Sequence, residues 1–430
     1  HGTNRRQRQM CIRDRINSNK QGLDLVWKQD FKKKNNSTSI SLSGYIDEKM
    51  LNGLVNNEIK FTGKAKTEAN FVGNSFNLNK GDLLLDFRDV KIESYILDWA
   101  KPRFSSMVLR SDIIFSDNNE IDFYNFQVEG PLIQILGDFK FKNNRLLNLN
   151  LERFKFYSSI DNISNNLQIK YTNNFSSSLE LSILGDVISI GRDGLSNLLN
   201  NKGPSNNYEN IIINVFFDEL NSKSNITYKN VEFSYYKKLN KLKELSFSAL
   251  LNSEPVIYGE TSEHNNTKKI ELFAENFESL IDVLGLNINL KGGPIKYSAL
   301  IKNIEGIETF SGILNVDEFS ILKLPIFAKL LNISIPNLTL DANSGIEFKK
   351  ASAEIKINSK GIFINDGVIK AKSDLPIFDN SLGMSISGVY GFSELTNIEG
   401  TLVPLASINR VPSKIPFVGG LFKGDNEGEG

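Results

Sequence analysis

Along most of the chain apolar and polar residues alternate with a period of two, and clusters of Asn, Asp, Gly, Ser and Lys break the alternation at short intervals. Successive side chains of a strand point to opposite faces, so the pattern predicts half-buried antiparallel strands joined by tight turns. In one hairpin Ile135, Gly137, Phe139 and Phe141 alternate with polar residues, a Lys-Asn-Asn-Arg turn follows at Lys142 to Arg145, and Leu147, Leu149 and Leu151 return on one face. A second runs through Ala351, Ala353, Ile355 and Ile357, turns at Asn358-Ser359-Lys360-Gly361 and returns through Ile362 and Ile364. It is expected to turn again at Asn365-Asp366-Gly367, where Asp-Gly suits the positive φ angles of a type I′ turn. The same period recurs at Leu245, Phe247 and Ala249, at Ile270, Leu272 and Ala274, at Ile295, Tyr297, Ala299 and Ile301, and at Phe310, Gly312, Leu314 and Val316.

Helical spacing is confined to short pieces. Phe277, Leu280, Ile281 and Leu284 fall at i, i+3, i+4 and i+7, behind Asn276 as an N-cap and before Gly285 as a C′ glycine. Shorter pieces are expected at Leu195 to Leu199 and, opened by Pro325, at Ile326 to Leu331. The helix at Phe277 reads as a brace packed on the sheet. No Pro/Ser-rich linker or charge block divides residues 16 to 400, and Gly203 to Asn210 is the best loop. The fold class that follows is mainly β, an elongated antiparallel sheet that grows by adding hairpins, with a few short amphipathic helices; its apolar face is left to self-curling, a second sheet or a ligand. At about 13 residues per strand and turn, the chain holds roughly 30 strands.

Charge and chemistry narrow the function. Lys and Arg number 50 and Asp and Glu 50 in 430 residues, so the cationic excess that binds phosphate backbones is missing and a nucleic-acid partner is not expected. No apolar run of membrane-spanning length and no signal peptide occurs in the sequence. One cysteine, Cys11, and two histidines, His1 and His264, leave no disulfide framework or Cys/His metal set. His264, in a polar turn, has no nucleophile beside it. Nucleophile-elbow, phosphate-loop, dinucleotide and His-Glu-x-x-His motifs are missing, so no catalytic residue, metal or cofactor is expected. Residues 1–15 resemble translated adapter sequence and are set apart, and both termini read as cuts in a longer protein.

From Phe277 onward the order of features resembles one family. FESLIDVLGLNINLKGGPIKYSALIKN presents a helix, Leu-Gly, Gly-Gly and a strand; FSGILNVDEFSILKLPIFAKLLN a strand and a Pro-led helix; SGIEFKKASAEIKI a hairpin; and SLGMSISGVYGF a later strand. EGTLVPLASINRVPSKIPFVGGLFKGDNEGEG then adds Gly-Thr-x-x-Pro, an Asn, Ile-Pro-x-x-Gly and a Gly-rich acidic end. This order is similar to the C-terminal module of AsmA-like bacterial envelope proteins, in particular the YhdP-type branch. It covers 277–430, whereas 16–276 shares only the alternating strand style and reads as the repetitive part of the sheet.

The resemblance implies an elongated sheet curled into a hydrophobic groove that carries phospholipid acyl chains through the periplasm of a Gram-negative envelope, without enzymatic chemistry. It further implies an inner-membrane anchor through an N-terminal helix outside this sequence, and protein partners in the envelope. Keeping a sixteen-carbon chain out of water avoids about 12 kcal/mol, which an apolar track supplies with no polar anchor. On that reading the lining comprises Ile135, Phe139, Phe141, Leu147 and Leu149; Leu245 and Phe247; Ile270 and Leu272; Ile295, Tyr297 and Ile301; Phe310, Leu314 and Val316; and Ile355, Ile357, Ile362 and Ile364. Membrane or partner docking falls to Pro404 and Asn409 and to the apolar stretch holding Ile415, Pro416, Phe417, Gly419 and Phe422. The alternatives are an envelope scaffold whose apolar face is shut as an ordinary core, and a β-rich polysaccharide hydrolase.

Overall fold

A computed structural model describes residues 9–18, 21–30, 37–53, 59–75, 77–94, 99–116, 118–157, 164–174, 177–189, 208–222, 226–239, 241–264, 267–284, 290–304, 307–322, 346–371, 382–391 and 397–404. The chain is mainly β, as the alternation predicts, and its described residues divide into two compact units, the first up to Thr227 and the second from Tyr228. The helical pieces expected at 195–199 and 326–331, the C′ position Gly285, and the docking residues Asn409, Ile415, Pro416, Phe417, Gly419 and Phe422 lie outside the described residues.

The first unit is a sheet in which each strand pairs with the next by hairpin. It runs β1 (Gln9–Ser18), β2 (Gln21–Asp30), β3 (Ser37–Asp47), β4 (Ile59–Asn74) and β5 (Asn77–Asp86). The first half of β4 pairs instead with a small ribbon, β6 (Val90–Ser94) and β7 (Trp99–Lys101). The main order resumes from β5 to β8 (Val108–Ser116), β9 (Glu120–Gly130), β10 (Ile133–Lys142), β11 (Arg145–Tyr157), β12 (Ser164–Asn173) and β13 (Ser178–Ser189). The last pair, β13 with β14 (Asn210–Asn221), is parallel, a departure from the all-antiparallel expectation. A parallel pair needs a crossover of a dozen or more residues, and the long interval after Ser189 provides it. The Asn143-Asn144 turn forms as predicted, with φ of 50° and 61° between the paired Lys142 and Arg145.

One end of this sheet is covered. Helix α1 (Glu48–Gly53) inserts Leu51, and its Asn52 side chain both donates to the Phe61 carbonyl and accepts from the Phe61 N–H at 2.9 Å, as a neighbouring strand would. The β6–β7 ribbon adds Val90, Ile92 and Trp99, whose indole donates to the Leu132 carbonyl at 3.1 Å. Lys101 is buried in the ribbon, donating to the carbonyls of Val90 and Pro102; desolvation there holds its ammonium below the usual lysine range.

The second unit is a further antiparallel series: β15 (Thr227–Lys238), β16 (Lys241–Leu251), β17 (Glu254–His264), β18 (Thr267–Ala274), β20 (Ile295–Ile304), β21 (Ile307–Ile321), β22 (Ile346–Asn358), β23 (Gly361–Ala371), β24 (Leu382–Gly391) and β25 (Asn397–Pro404). Between β18 and β20 lie α2 (Phe277–Leu284) and β19 (Leu290–Gly292), which pairs with β21. The predicted N-cap forms: the Ser279 N–H donates to Asn276 Oδ1 at 2.8 Å. Phe277 packs its ring edge on Phe319, which stacks on Phe348, so α2 braces one end of this sheet.

Asp366-Gly367 is not a hairpin turn. β23 runs through it as one strand, and Asp366, at φ 46°, sits in a bulge against β22 and β24. Positive φ and a missing Cβ serve a bulge as well as a turn; a Cβ on Gly367 would meet Ile386 at 2.4 Å.

The curl of this unit follows from one contact. β16 and β21 are separated in the sheet by β17, β18 and β20, roughly 19 Å if the sheet were flat. Yet the Leu242 N–H of β16 donates to Glu308 Oε1 of β21 at 2.8 Å. A glutamate side chain cannot reach that far, so the sheet curls over its apolar face at this end. Among the described residues no pairing joins β15 to β25, or β1 to β14, so neither unit closes as a barrel.

Candidate functional site

Residues paired across neighbouring strands share a face, so register alone traces which predicted residues come together. In the second unit Tyr297 pairs with Leu272 and Leu314, Ala299 with Ile270 and Gly312, and Gly312 in turn with Ile355, which pairs with Ile364. Ile270, Tyr297, Ala299 and Ile355 are buried at 3–6% exposure, and Leu245, Leu272, Ile301, Phe310, Leu314, Ile357, Ile362 and Ile364 pack around them half-buried. Nearly all lining residues predicted for this unit thus form one cluster. Phe247 lies beside it, its ring laid over Gly259, where an added Cβ would come within 2.3 Å of the ring. Ile295 and Val316 occupy the next row, paired with each other and buried toward the end braced by α2.

In the first unit a single row crosses the sheet from strand to strand: Trp27, Ile40, Phe71, Gly81, Ile113, Phe123, Phe139, Leu149, Tyr171, Leu181 and Ile213, each paired with the next. At about 4.8 Å per strand it spans about 48 Å of sheet. Ile113 is buried; the others are half-buried. Gly81 is the row's gap, and the Phe71 ring covers it. Phe139 stacks on Phe123 at 4.5 Å between centroids and meets Phe126 and Phe141 edge-on at 4.8 and 5.7 Å. Ile135 lies four residues along β10 on the same face, paired with Val128 and Phe154. Leu147 falls in a bulge: Phe141 pairs with Leu146 and Lys140 with Asn148, leaving Leu147 without a cross-strand partner in β10.

The reverse face of the first unit mixes charged residues with exposed apolar ones, Val72, Ile114 and Leu136 among them. Lys140 bridges Asp122 at 3.0 Å and Lys142 bridges Glu120 at 2.7 Å, on neighbouring strands and in contact with solvent. A cleft of about 660 Å³ lies against Lys28, Ser39, Lys80 and Tyr124. Among the described residues no cluster of His, Cys, Asp and Glu is placed to hold a metal ion. His264 ends β17 exposed, opposite Thr267.

Polar groups reach the apolar face of the second unit in two places. The Tyr297 hydroxyl stands within 3.2 and 3.3 Å of the Phe310 and Ile355 carbonyls, so the ring lies flat across β21; burial drives its ionisation well above the ordinary phenol range. At the curled end Lys268 Nζ donates to the Leu242 carbonyl at 2.9 Å and to the Lys243 carbonyl, opposite the Glu308 contact. Desolvation holds Lys268 below the usual lysine range, and burial, then the nearby Glu308 charge, push Tyr235 up to about 12. Pro404, the predicted docking residue that is described, ends β25.

No family model, curated protein or solved structure matches this chain.

Proposed function

We propose that this chain carries lipid acyl chains along the apolar face of its curled sheet, as a passive, non-enzymatic conduit in a Gram-negative envelope, in the manner of the AsmA-like proteins that its C-terminal third resembles. The observation that carries the reading is the row from Trp27 to Ile213, which is apolar, aromatic or glycine at every strand and half-buried at all but Ile113. A sandwich wall would have these side chains buried against a second layer. Among the described residues, α1 is the helix of this unit and packs on β3 and β4, and every row residue but Ile113 keeps part of its surface accessible. Large aromatic surfaces left partly accessible in a continuous line suit a mobile apolar ligand, because each methylene gains about 0.8 kcal/mol wherever along the line it lies. The setting in the periplasm, the inner-membrane anchor and the envelope partners come with the family resemblance and belong to the same proposal.

Organic extraction of the purified chain followed by mass spectrometry tests it: phospholipid at one molecule or more per chain is expected, and extracts free of acyl lipid from a folded protein refute the conduit. The tight cluster around Ile355 favours a second reading for the second unit alone, a shut core with a scaffolding role. Lipid confined to the first unit would support it.

A further inference from the structure

The curled end of the second unit holds charged groups on the same face as its apolar cluster. Lys268 precedes Ile270 and Leu272 by the two-residue period of β18, and Glu308 precedes Phe310 by the same period of β21. Both reach inward and end on one stretch of backbone in β16: Lys268 on the Leu242 and Lys243 carbonyls, Glu308 on the Leu242 N–H. The Leu242 side chain between them is 4% exposed. These contacts link β16 to strands two and four places away in the sheet, so they hold the curl shut where backbone pairing does not. At the opposite end α2 covers the same face through Phe277 and Phe319. The first unit shows a brace of this kind at one end, and its row is half-buried rather than buried.

We propose that Lys268, Glu308 and the Leu242–Lys243 backbone form a latch that closes the apolar face of the second unit, and that releasing it admits a single acyl chain to the cluster around Tyr297 and Ile355. The inference rests on the acyl-chain reading above. Side chains acting on backbone suit a latch: each contact is a charge-assisted hydrogen bond to a group that no ladder pairing of β16 with β17 requires at Leu242, so it can break without unzipping the sheet. Carrier and latch are then separable, since Leu242, Lys268 and Glu308 are not members of the cluster.

The test uses the full chain with a diazirine-bearing sixteen-carbon fatty acid, photolysed at timed intervals, with labelled peptides assigned to residues 9–227 or 228–404 by mass spectrometry. The Lys268→Met, Glu308→Ala double variant is expected to label second-unit peptides at least tenfold faster than the parent, with first-unit labelling unchanged. Glu308→Gln keeps an oxygen acceptor for the Leu242 N–H and is expected to behave as the parent, which separates latch release from general loosening. Equal second-unit labelling in parent and double variant, with the first unit labelled in both, overturns the latch and leaves the conduit standing. A folded protein labelled in neither unit overturns both. Should the double variant lose its β-sheet circular dichroism, Lys268→Met alone carries the same comparison, and an unchanged second-unit rate in that folded variant overturns the latch.

Discussion

Replacing Phe139 by alanine and then by aspartate separates a partly open row from a dry core. Phe139 keeps a minor part of its surface accessible, so most of the roughly 150–250 Å² a phenylalanine can bury is at stake; at about 25 cal/mol per Å² that is about 2.5–5.5 kcal/mol before the three ring contacts are added. A closed core would charge about 3–5 kcal/mol for the same truncation, so alanine measures the packing and aspartate tells the two states apart. On an accessible row the carboxylate keeps water, and Phe139→Asp adds little to the alanine cost; in a sealed core an unpaired charge would unfold the unit. Ile355, at 5% exposure inside its cluster, is the internal control: Ile355→Ala is expected to cost about 2–5 kcal/mol, and Ile355→Asp to abolish folding of the second unit. Urea denaturation followed by circular dichroism, with hydrogen exchange to assign the loss to one unit, measures each. Phe139→Asp unfolding the first unit would refute the partly open row.

Two further outcomes follow from local geometry. Asn276→Ala removes the acceptor of the Ser279 N–H and is expected to lower the stability of the second unit by about 1 kcal/mol, with early hydrogen exchange confined to α2. Tyr235, pushed up to about 12 from the ordinary phenol value of about 10, makes the folded state hold its proton longer than the unfolded chain. Its contribution is complete below about pH 10 and is lost as pH rises toward 12; Tyr235→Phe is expected to flatten that stretch of the stability–pH curve, and an unchanged slope would contradict the burial of the phenol.

The second unit's cluster is legible in the sequence because its members sit in stretches that keep one phase of alternation, as at Ile295, Tyr297, Ala299 and Ile301 in β20. Of the first unit's row, the alternation singles out only Phe139 and Leu149, and beside them a bulge shifts the phase. In β9, Ile121 and Phe123 fall on odd positions and Phe126 and Val128 on even ones, and the change occurs at Asn125, at φ 50°, whose N–H is held by Asp138 at 2.9 Å. That slip from odd to even was the available sign of a bulge and of Phe123 and Phe126 as neighbours of Phe139. The same cause misplaces Leu147 and turns the expected Asp366-Gly367 hairpin into a bulge. The parallel pairing of β13 with β14 has no such local sign, since strand direction is set by the crossover. Nor does periodicity reveal the Lys268–Leu242–Glu308 contacts, which exist only once the sheet curls.

The chain's two tryptophans report on the central proposal from opposite sides of the first unit's brace. Trp27 stands on the row, half-buried, whereas Trp99 is 5% exposed in the ribbon and tied to the Leu132 carbonyl. Bromine on an acyl chain quenches indole emission only at contact, so the Trp99→Phe variant, emitting from Trp27 alone, is titrated with brominated phospholipid beside a Trp27→Phe variant emitting from Trp99. Strong, saturable quenching of Trp27 with Trp99 unaffected is the predicted result. Unquenched Trp27 in a folded protein would contradict acyl chains lying along the row.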